Sequence, residues 1–78
     1  MKLYNRPMKN IGKHTIEIYS ISVNGLSTLV ECPKRTVWEL NGNLYAKYNN
    51  TIYRVRTARR DAKNIDYYTS NFDVVARG

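Results

Sequence analysis

The sequence predicts a mainly β fold, a small antiparallel sheet of five to six strands curled into a barrel or sandwich. Short runs rich in Val, Ile, Thr and Tyr recur along the chain, and this composition favours strands. Asn-based dipeptides that suit tight turns separate several of the runs. Few stretches place apolar residues at helical spacing. A chain of 78 residues is expected to form one domain with a thin core.

The first strands are expected to begin after residue 14. Residues 1–14 lack regular apolar spacing and are predicted to form an N-terminal arm or loop, with a short edge strand as an alternative, ahead of a single small β domain over residues 15–78. The runs "TIEIYSISV" and "LSTLVEC" flank Asn24-Gly25, so they are predicted to pair as a hairpin with a tight turn. Pro33 ends the second run, because proline has no N–H to donate to a neighbouring strand.

Three further strands are predicted in the runs "TVWEL", "NLYAKY" and "TIYRVRT". The dipeptides Asn41-Gly42 and Asn49-Asn50 separate them and supply the turns. The following segment, near residues 58–68, has the composition of a turn or two of helix. The run "NFDVVA" is the candidate for a sixth strand.

A two-residue loop at Asn49-Asn50 would fix the pairing of the two strands beside it. Tyr45 then lies opposite Arg54, and side chains alternate between two faces of the hairpin. One face is mostly apolar and is predicted to point inward, with Leu44, Ala46, Tyr48, Thr51, Tyr53 and Val55. The other face combines Tyr45, Lys47, Arg54 and Arg56. A register shift of one residue would mix the two sets, which favours this pairing.

The loop at Asn41-Gly42 has two plausible lengths. A loop of two residues places Trp38 opposite Tyr45 on the basic face, and it directs Glu39 towards the core, which is costly for a charge. A loop of three residues, including Asn43, sends Trp38 inward and Glu39 outward. Burial therefore favours the longer loop, with Trp38 in the core.

The charge of the chain predicts a polyanionic partner. Thirteen Lys and Arg residues against six acidic residues give a net charge of +7, which attracts nucleic acid or an acidic protein surface. The cations cluster from Arg54 to Lys63, where Asp61 is the one acid. Cations neutralise phosphates, and aromatic rings such as Tyr45 stack on unpaired bases. The predicted binding residues are Tyr45, Lys47, Arg54, Arg56, Arg59, Arg60 and Lys63.

A simpler explanation of the same residues stays open at the level of sequence. Exposed sheet faces are normally polar, and Lys or Arg on an edge strand prevents aggregation. Tyrosine also favours strands without any binding role.

The sequence gives no pattern typical of an enzyme. His14 and Cys32 are single residues of their type, the acids are sparse, and no glycine-rich phosphate loop is present. Cys32 is expected to be buried at a strand end, the alternative being a thiol whose pKa is lowered by Lys34 and Arg35. We predict a non-enzymatic protein without metal or cofactor.

Two functions are compatible with these observations. The first is binding of RNA or single-stranded DNA in preference to duplex, because no helix for reading a major groove is predicted. The alternative is a bacteriophage-type accessory protein that inhibits or redirects a host protein through the same basic patch. Abundant Asn, Tyr, Ile and Lys, with AT-rich codons, suggest that origin.

The expected location is the cytoplasm, or the host cytoplasm for a phage protein. A lone cysteine fits a reducing compartment, and the first residues lack the apolar run of a secretory signal. The longest uncharged stretch, Ile18 to Val30, is too short and polar to cross a bilayer, so no membrane partner is predicted. Open edges of a small sheet would permit a homodimer.

Overall fold

A computed structural model describes residues 8–58 and 64–77. These residues form seven strands and one short 3₁₀ helix, Asn71–Asp73. The strands are β1 (Lys9–Ile21), β2 (Ser27–Glu31), β3 (Lys34–Leu40), β4 (Asn43–Tyr48), β5 (Thr51–Thr57), β6 (Tyr67–Ser70) and β7 (Val74–Arg77). The predicted fold class is confirmed: five strands close into a barrel, and the other two are added to it.

The long first strand organises the barrel. The beginning of β1 pairs with β3, and its end pairs with both β2 and β6. β3, β4 and β5 follow as antiparallel neighbours, and β6 then pairs with β5. The β1–β6 pairing is parallel, from Ile16–Tyr67 to Tyr19–Ser70, and it closes the ring. β2 remains outside at one end of the strand order, and β7 pairs with β5.

Residues 9–14 belong to this first strand rather than to an arm or loop, so the sheet begins earlier than the sequence suggests. The strand accommodates its irregular start through a register shift between Asn10 and Lys13. Gly12 lies within that shift at a φ of 99°, a conformation that side chains with a Cβ rarely adopt.

The C-terminal segment differs from its predicted structure. In the part of residues 58–68 that the structure describes there is no helix, and the last two of these residues belong to β6. The run "NFDVVA" is divided, since Asn71–Asp73 is the 3₁₀ helix and only the residues after it form β7. Residues 59–63 of the predicted helix lie outside the described residues.

Two turns are tight two-residue loops with both central residues at positive φ. Asn49 and Asn50 have φ values of 49° and 58°, and the predicted pairing across them is confirmed at all five registered positions of β4 and β5. Asn41 and Gly42 have φ values of 52° and 82°, so this loop also has two residues. The predicted three-residue loop was wrong.

The third turn is longer than the predicted tight turn at Asn24-Gly25. Ser22 N–H donates to the carbonyl of Leu26 at 2.8 Å, and Gly25 N–H donates to the carbonyl of Ser22 at 3.0 Å. Three residues therefore lie within the loop, and Gly25 alone among them has a positive φ, of 80°. A three-residue hairpin loop that ends in a left-handed glycine is a common alternative to the two-residue turn.

The core takes side chains from four barrel strands. Its buried members are Ile16, Ile18, Val37, Ala46 and Val55, and Ile11, Leu44, Tyr48 and Tyr67 pack against them. The fifth barrel strand, β6, contributes the buried Thr69, whose hydroxyl donates to the carbonyl of Arg54 at 2.9 Å. Because each core residue faces inward, its neighbours in the same strand face outward.

Candidate nucleic-acid interface

A row of three side chains crosses the outer face of the barrel. Trp38 pairs with Tyr45 across β3 and β4, and Tyr45 pairs with Arg54 across β4 and β5. Each is followed or preceded by a core residue, so the row points away from the core. Neighbouring strands are about 4.8 Å apart, so the three side chains start from adjacent positions on this face. We call this set the Trp38–Tyr45–Arg54 row.

The place of Trp38 corrects the prediction that it lies in the core. That prediction rested on the cost of burying Glu39, but Glu39 is exposed in the two-residue turn that the protein uses. Glu39 lies near the end of β3, opposite Lys9 of β1. The carboxylate is therefore at the open end of the barrel beside a cation, and it incurs little desolvation.

A groove of about 710 Å³ begins at Trp38 and runs along β3 and the end of β4. Four cations line it, together with two aromatic residues, namely Lys13, Lys34, Arg35, Lys47, Trp38 and Tyr48. The turn residues Asn49 and Asn50 form its end. We call it the basic groove. None of the described residues that line it is acidic.

The groove brings together cations that are distant in sequence. Lys13 pairs with Thr36 across β1 and β3, while Lys47 is on the neighbouring β4. The guanidinium carbon of Arg35 lies 5.3 Å from the centroid of the Tyr48 ring, a cation–π contact that orients the arginine side chain. The ion pairs His14–Asp66 and Arg56–Asp73 lie outside the groove.

Arg56 is not in the basic groove. Its guanidinium donates to Asp73 at 2.8 Å, and this carboxylate raises the pKa of Arg56 further. Asp73 also accepts from the backbone N–H of Ser70 at 3.0 Å. Arg56 therefore anchors the 3₁₀ helix, and its charge is already paired. This makes it a weaker phosphate ligand than Arg54, which is exposed beside Tyr45.

The predicted site is divided by the structure. Tyr45 and Arg54 are in the row, Lys47 is in the groove next to it, and Arg56 faces a different cleft with Tyr68 and Asp73. The remaining three predicted residues, Arg59, Arg60 and Lys63, lie outside the described residues.

Five members of the candidate site were missed in the sequence, namely Lys13, Lys34, Arg35, Trp38 and Tyr48. The pair Lys34-Arg35 directly opens a strand, and that position was a detectable signal. Lys13 could not be found without the β1–β3 register, which joins segments far apart in the chain.

His14 and Cys32 occupy structural positions. The His14 ring lies 3.4 Å from Asp66 through Nδ1, 3.0 Å from the carbonyl of Ile11 through Nε2, and edge-on to Tyr67. Cys32 is exposed, which corrects the expected burial. The pKa of its thiol is raised, mainly by partial desolvation and then by the carboxylates of Glu17 and Glu31. The alternative prediction, a pKa lowered by Lys34 and Arg35, was therefore wrong.

No helix in the described ranges 8–58 and 64–77 has the length and apolar character needed to cross a membrane. No family model matches the chain, and neither a curated protein nor a solved structure shows similarity to it. The function must therefore be inferred from the groove and the row themselves.

Proposed function

We propose that the protein binds single-stranded nucleic acid, RNA or DNA, along the basic groove and the adjoining Trp38–Tyr45–Arg54 row. One observation carries the proposal: four cations and two aromatic residues share a groove in which no described lining residue is acidic. The protein acts by binding, without catalysis.

The charge of the groove accounts for affinity. Each phosphate that a lysine or arginine neutralises releases condensed counterions, which favours binding at low salt whatever the base sequence. Lys13 is on β1 and Lys47 is on β4, the two neighbours of β3, so a nucleic-acid strand laid along β3 would meet cations on both sides.

The aromatic residues account for a preference for single strands. A base can stack on an indole or phenol ring only when it is not enclosed in a duplex, and one such contact contributes about 1–3 kcal/mol. Trp38 belongs to both the groove and the row, so it would hold a base while the cations hold the backbone.

An acidic surface of another protein, such as a host protein, is the second candidate partner. Trp, Tyr and Arg are the residues most enriched at the energetic centres of protein interfaces, and the Trp38–Tyr45–Arg54 row contains one of each. A protein partner would use the same cations but would not require stacking.

Fluorescence of Trp38 tests the proposal directly, because it is the one tryptophan in the chain. Single-stranded RNA and DNA of about 12 nucleotides, within the usual site size of a small barrel, are titrated beside a duplex of the same sequence. We expect quenching by the single strands, weaker binding of the duplex, and a logarithm of affinity that falls linearly with the logarithm of salt concentration.

Lys34→Ala and Lys9→Ala form a matched pair of variants. Both remove one exposed lysine, but only Lys34 lines the groove. The first should weaken binding, and the second should leave it nearly unchanged. Folded protein that binds none of the oligonucleotides at low salt would overturn the proposal and leave an acidic protein surface as the partner.

A further inference from the structure

The second surface of interest is the hairpin of β1 and β2, which carries exposed apolar side chains. All five residues of β2 are exposed. Val23 at the loop is 98% exposed, and Leu26 is 72% exposed. Leu29 and Val30 in β2 are 49% and 55% exposed. Apolar side chains grouped this way usually indicate a surface that another molecule covers.

One edge of β2 is unpaired. The strand is at the end of the sheet order, and β1 is its one neighbour. Soluble proteins commonly protect such an edge with lysine or proline, but β2 contains neither. Val30 forms a bulge, because the pairing passes from Tyr19–Leu29 to Ile18–Glu31. The bulge shortens the ladder that an added strand can form, so apolar contact must supply much of the stability.

The charge pattern indicates which molecule can cover this surface. Between Lys13 and Lys34 the sequence has no lysine or arginine, although the whole chain carries a net charge of +7. Two copies of so basic a protein repel each other at most contacts. A contact between residues 14–33 of two copies brings no lysine or arginine together, so it avoids this repulsion.

The barrel extends the apolar surface beside β2. A cleft of about 410 Å³ has Tyr19, Ile21 and Phe72 in its lining, and Phe72 is 68% exposed. The charged residues of the same cleft are Glu17 and the paired Arg56 and Asp73. Two hydrogen bonds hold the position of this cleft, since Asn71 accepts from the N–H of Ile21 at 3.0 Å and donates to its carbonyl at 3.2 Å. The hairpin is thus tied to the barrel at its base.

We infer that this surface binds a second copy of the chain, with the β2 strands of the two copies side by side and antiparallel. A two-fold axis at the centre of β2 places Leu29 of each copy beside the same residue of the other. Ser27 then lies opposite Glu31 of the second copy, so the two Glu31 carboxylates are kept apart. The contact is isologous, as in most homodimers. It does not depend on nucleic-acid binding.

Sedimentation equilibrium of nuclease-treated protein free of nucleic acid tests the inference. The wild type is expected to dimerise reversibly with rising concentration. Leu29→Lys, which places a like charge at the axis, should be monomeric over the same range. Glu39→Gln changes the net charge by the same one unit away from β2 and should dimerise as the wild type does. A wild type that is monomeric up to about 1 mM, or a dimer that persists in Leu29→Lys, would overturn the inference.

A cross-linking experiment detects the dimer directly and does not depend on the loss of dimerisation in Leu29→Lys. In a Cys32→Ser background, Leu29→Cys should form an intermolecular disulfide under mild oxidation, because the two thiols meet at the axis. Val23→Cys is the control, since it is more exposed but lies at the far end of the hairpin. Equal cross-linking of both variants would contradict the proposed arrangement, whatever the nucleic-acid experiments show.

Discussion

Trp38 lies on the outer face of β3 because the turn at Asn41-Gly42 has two residues. A third loop residue would have reversed the alternation of β3 and placed the indole in the core. The neighbouring Val37 is fully buried, which fixes the opposite orientation for Trp38. The character of the candidate interface therefore depends on one turn.

We predict that Trp38→Ala weakens binding of single-stranded oligonucleotides by about 5- to 150-fold, the equivalent of one lost base stack. Trp38→Phe should retain most of the affinity, because a ring remains. Fluorescence anisotropy of a labelled oligonucleotide measures both variants, and thermal unfolding verifies that each is folded. Equal losses in the two variants would mean that stacking is not the role of this side chain.

Cys32 is exposed, but its surroundings disfavour the reactive thiolate form. Partial desolvation and the carboxylates of Glu17 and Glu31 raise its pKa, so less thiolate is present at neutral pH than in an ordinary cysteine. We predict that iodoacetamide alkylates the folded protein more slowly than the urea-unfolded chain at about pH 8.

Glu31→Gln should accelerate that alkylation, because removal of a negative charge lowers the pKa of the thiol and increases its thiolate fraction. Glu39→Gln, on another strand, is the control with the same change of charge. Mass spectrometry of the alkylated fraction with time measures the rates. A faster reaction in the folded wild type than in the unfolded chain would contradict the direction of the pKa shift.

At the scale of elements, the 3₁₀ helix between β6 and β7 is held by a single carboxylate. Asp73 accepts from Arg56 and from both the N–H and the hydroxyl group of Ser70. The hydroxyl of Ser70 in turn accepts from the N–H of Phe72, which completes a capping box. The side chain of Asp73 is 8% exposed, so its partners have little access to water as a substitute.

Asp73→Ala is therefore expected to destabilise the fold by about 1–3 kcal/mol, since several part-buried donors lose their acceptor. Asp66→Ala is the matched control. It also removes a carboxylate from an ion pair, but the Asp66 side chain is 55% exposed, and its loss should cost at most about 1 kcal/mol. Urea unfolding followed by circular dichroism gives both values. A larger effect at Asp66 would refute this ranking.

The hairpin of β4 and β5 was predictable from the sequence, but the pairing of strands distant in the chain was not. The Asn49-Asn50 hairpin followed from turn chemistry and alternation, which depend on adjacent residues alone. The Asn41-Gly42 loop was mispredicted because the cost of burying Glu39 was assigned without knowing that it lies at the end of the barrel beside Lys9. The first two residues of β6 were assigned to a helical segment, because this short strand forms only through pairing with β1 and β5.

The candidate site divides in the same way. Tyr45, Lys47 and Arg54 share one hairpin and could be placed from the sequence. Lys13 is added to the site by the pairing of β1 with β3, which are distant in sequence. Arg56 is removed from the site because it pairs with Asp73, 17 residues later in the chain. Neither contact has a local signature.

At the scale of the whole molecule, charge is segregated. The basic groove carries four cations, whereas residues 14–33, which include the paired ends of β1 and β2, contain two glutamates and no lysine or arginine. Such a distribution allows a polyanion and a second protein molecule to bind at once, because they would occupy different faces.

The salt dependence of binding should report this distribution. For single strands, each phosphate contact contributes about 0.7 to the slope of log affinity against log salt concentration, so Lys13→Ala or Lys34→Ala should each reduce the slope by about that amount. Arg56→Ala should leave it nearly unchanged, because Asp73 already pairs with that arginine. Titrations over a series of salt concentrations measure the slopes. If Arg56→Ala reduced the slope and Lys34→Ala did not, the nucleic acid would bind at the cleft of Arg56 and the basic groove would be the wrong site.

The parallel pairing of β1 with β6 also constrains how the protein folds as it is synthesised. β1 leaves the ribosome before β2 to β5, but the strand that closes the barrel against Ile16 and Ile18 is made only after them. Until then the β3–β4–β5 hairpins can form locally, while the apolar side of β1 stays open to solvent and to other nascent chains. Closure is therefore a late event with a large loop-closure entropy, and slowing synthesis before Tyr67 would prolong the period in which the chain is most prone to aggregate.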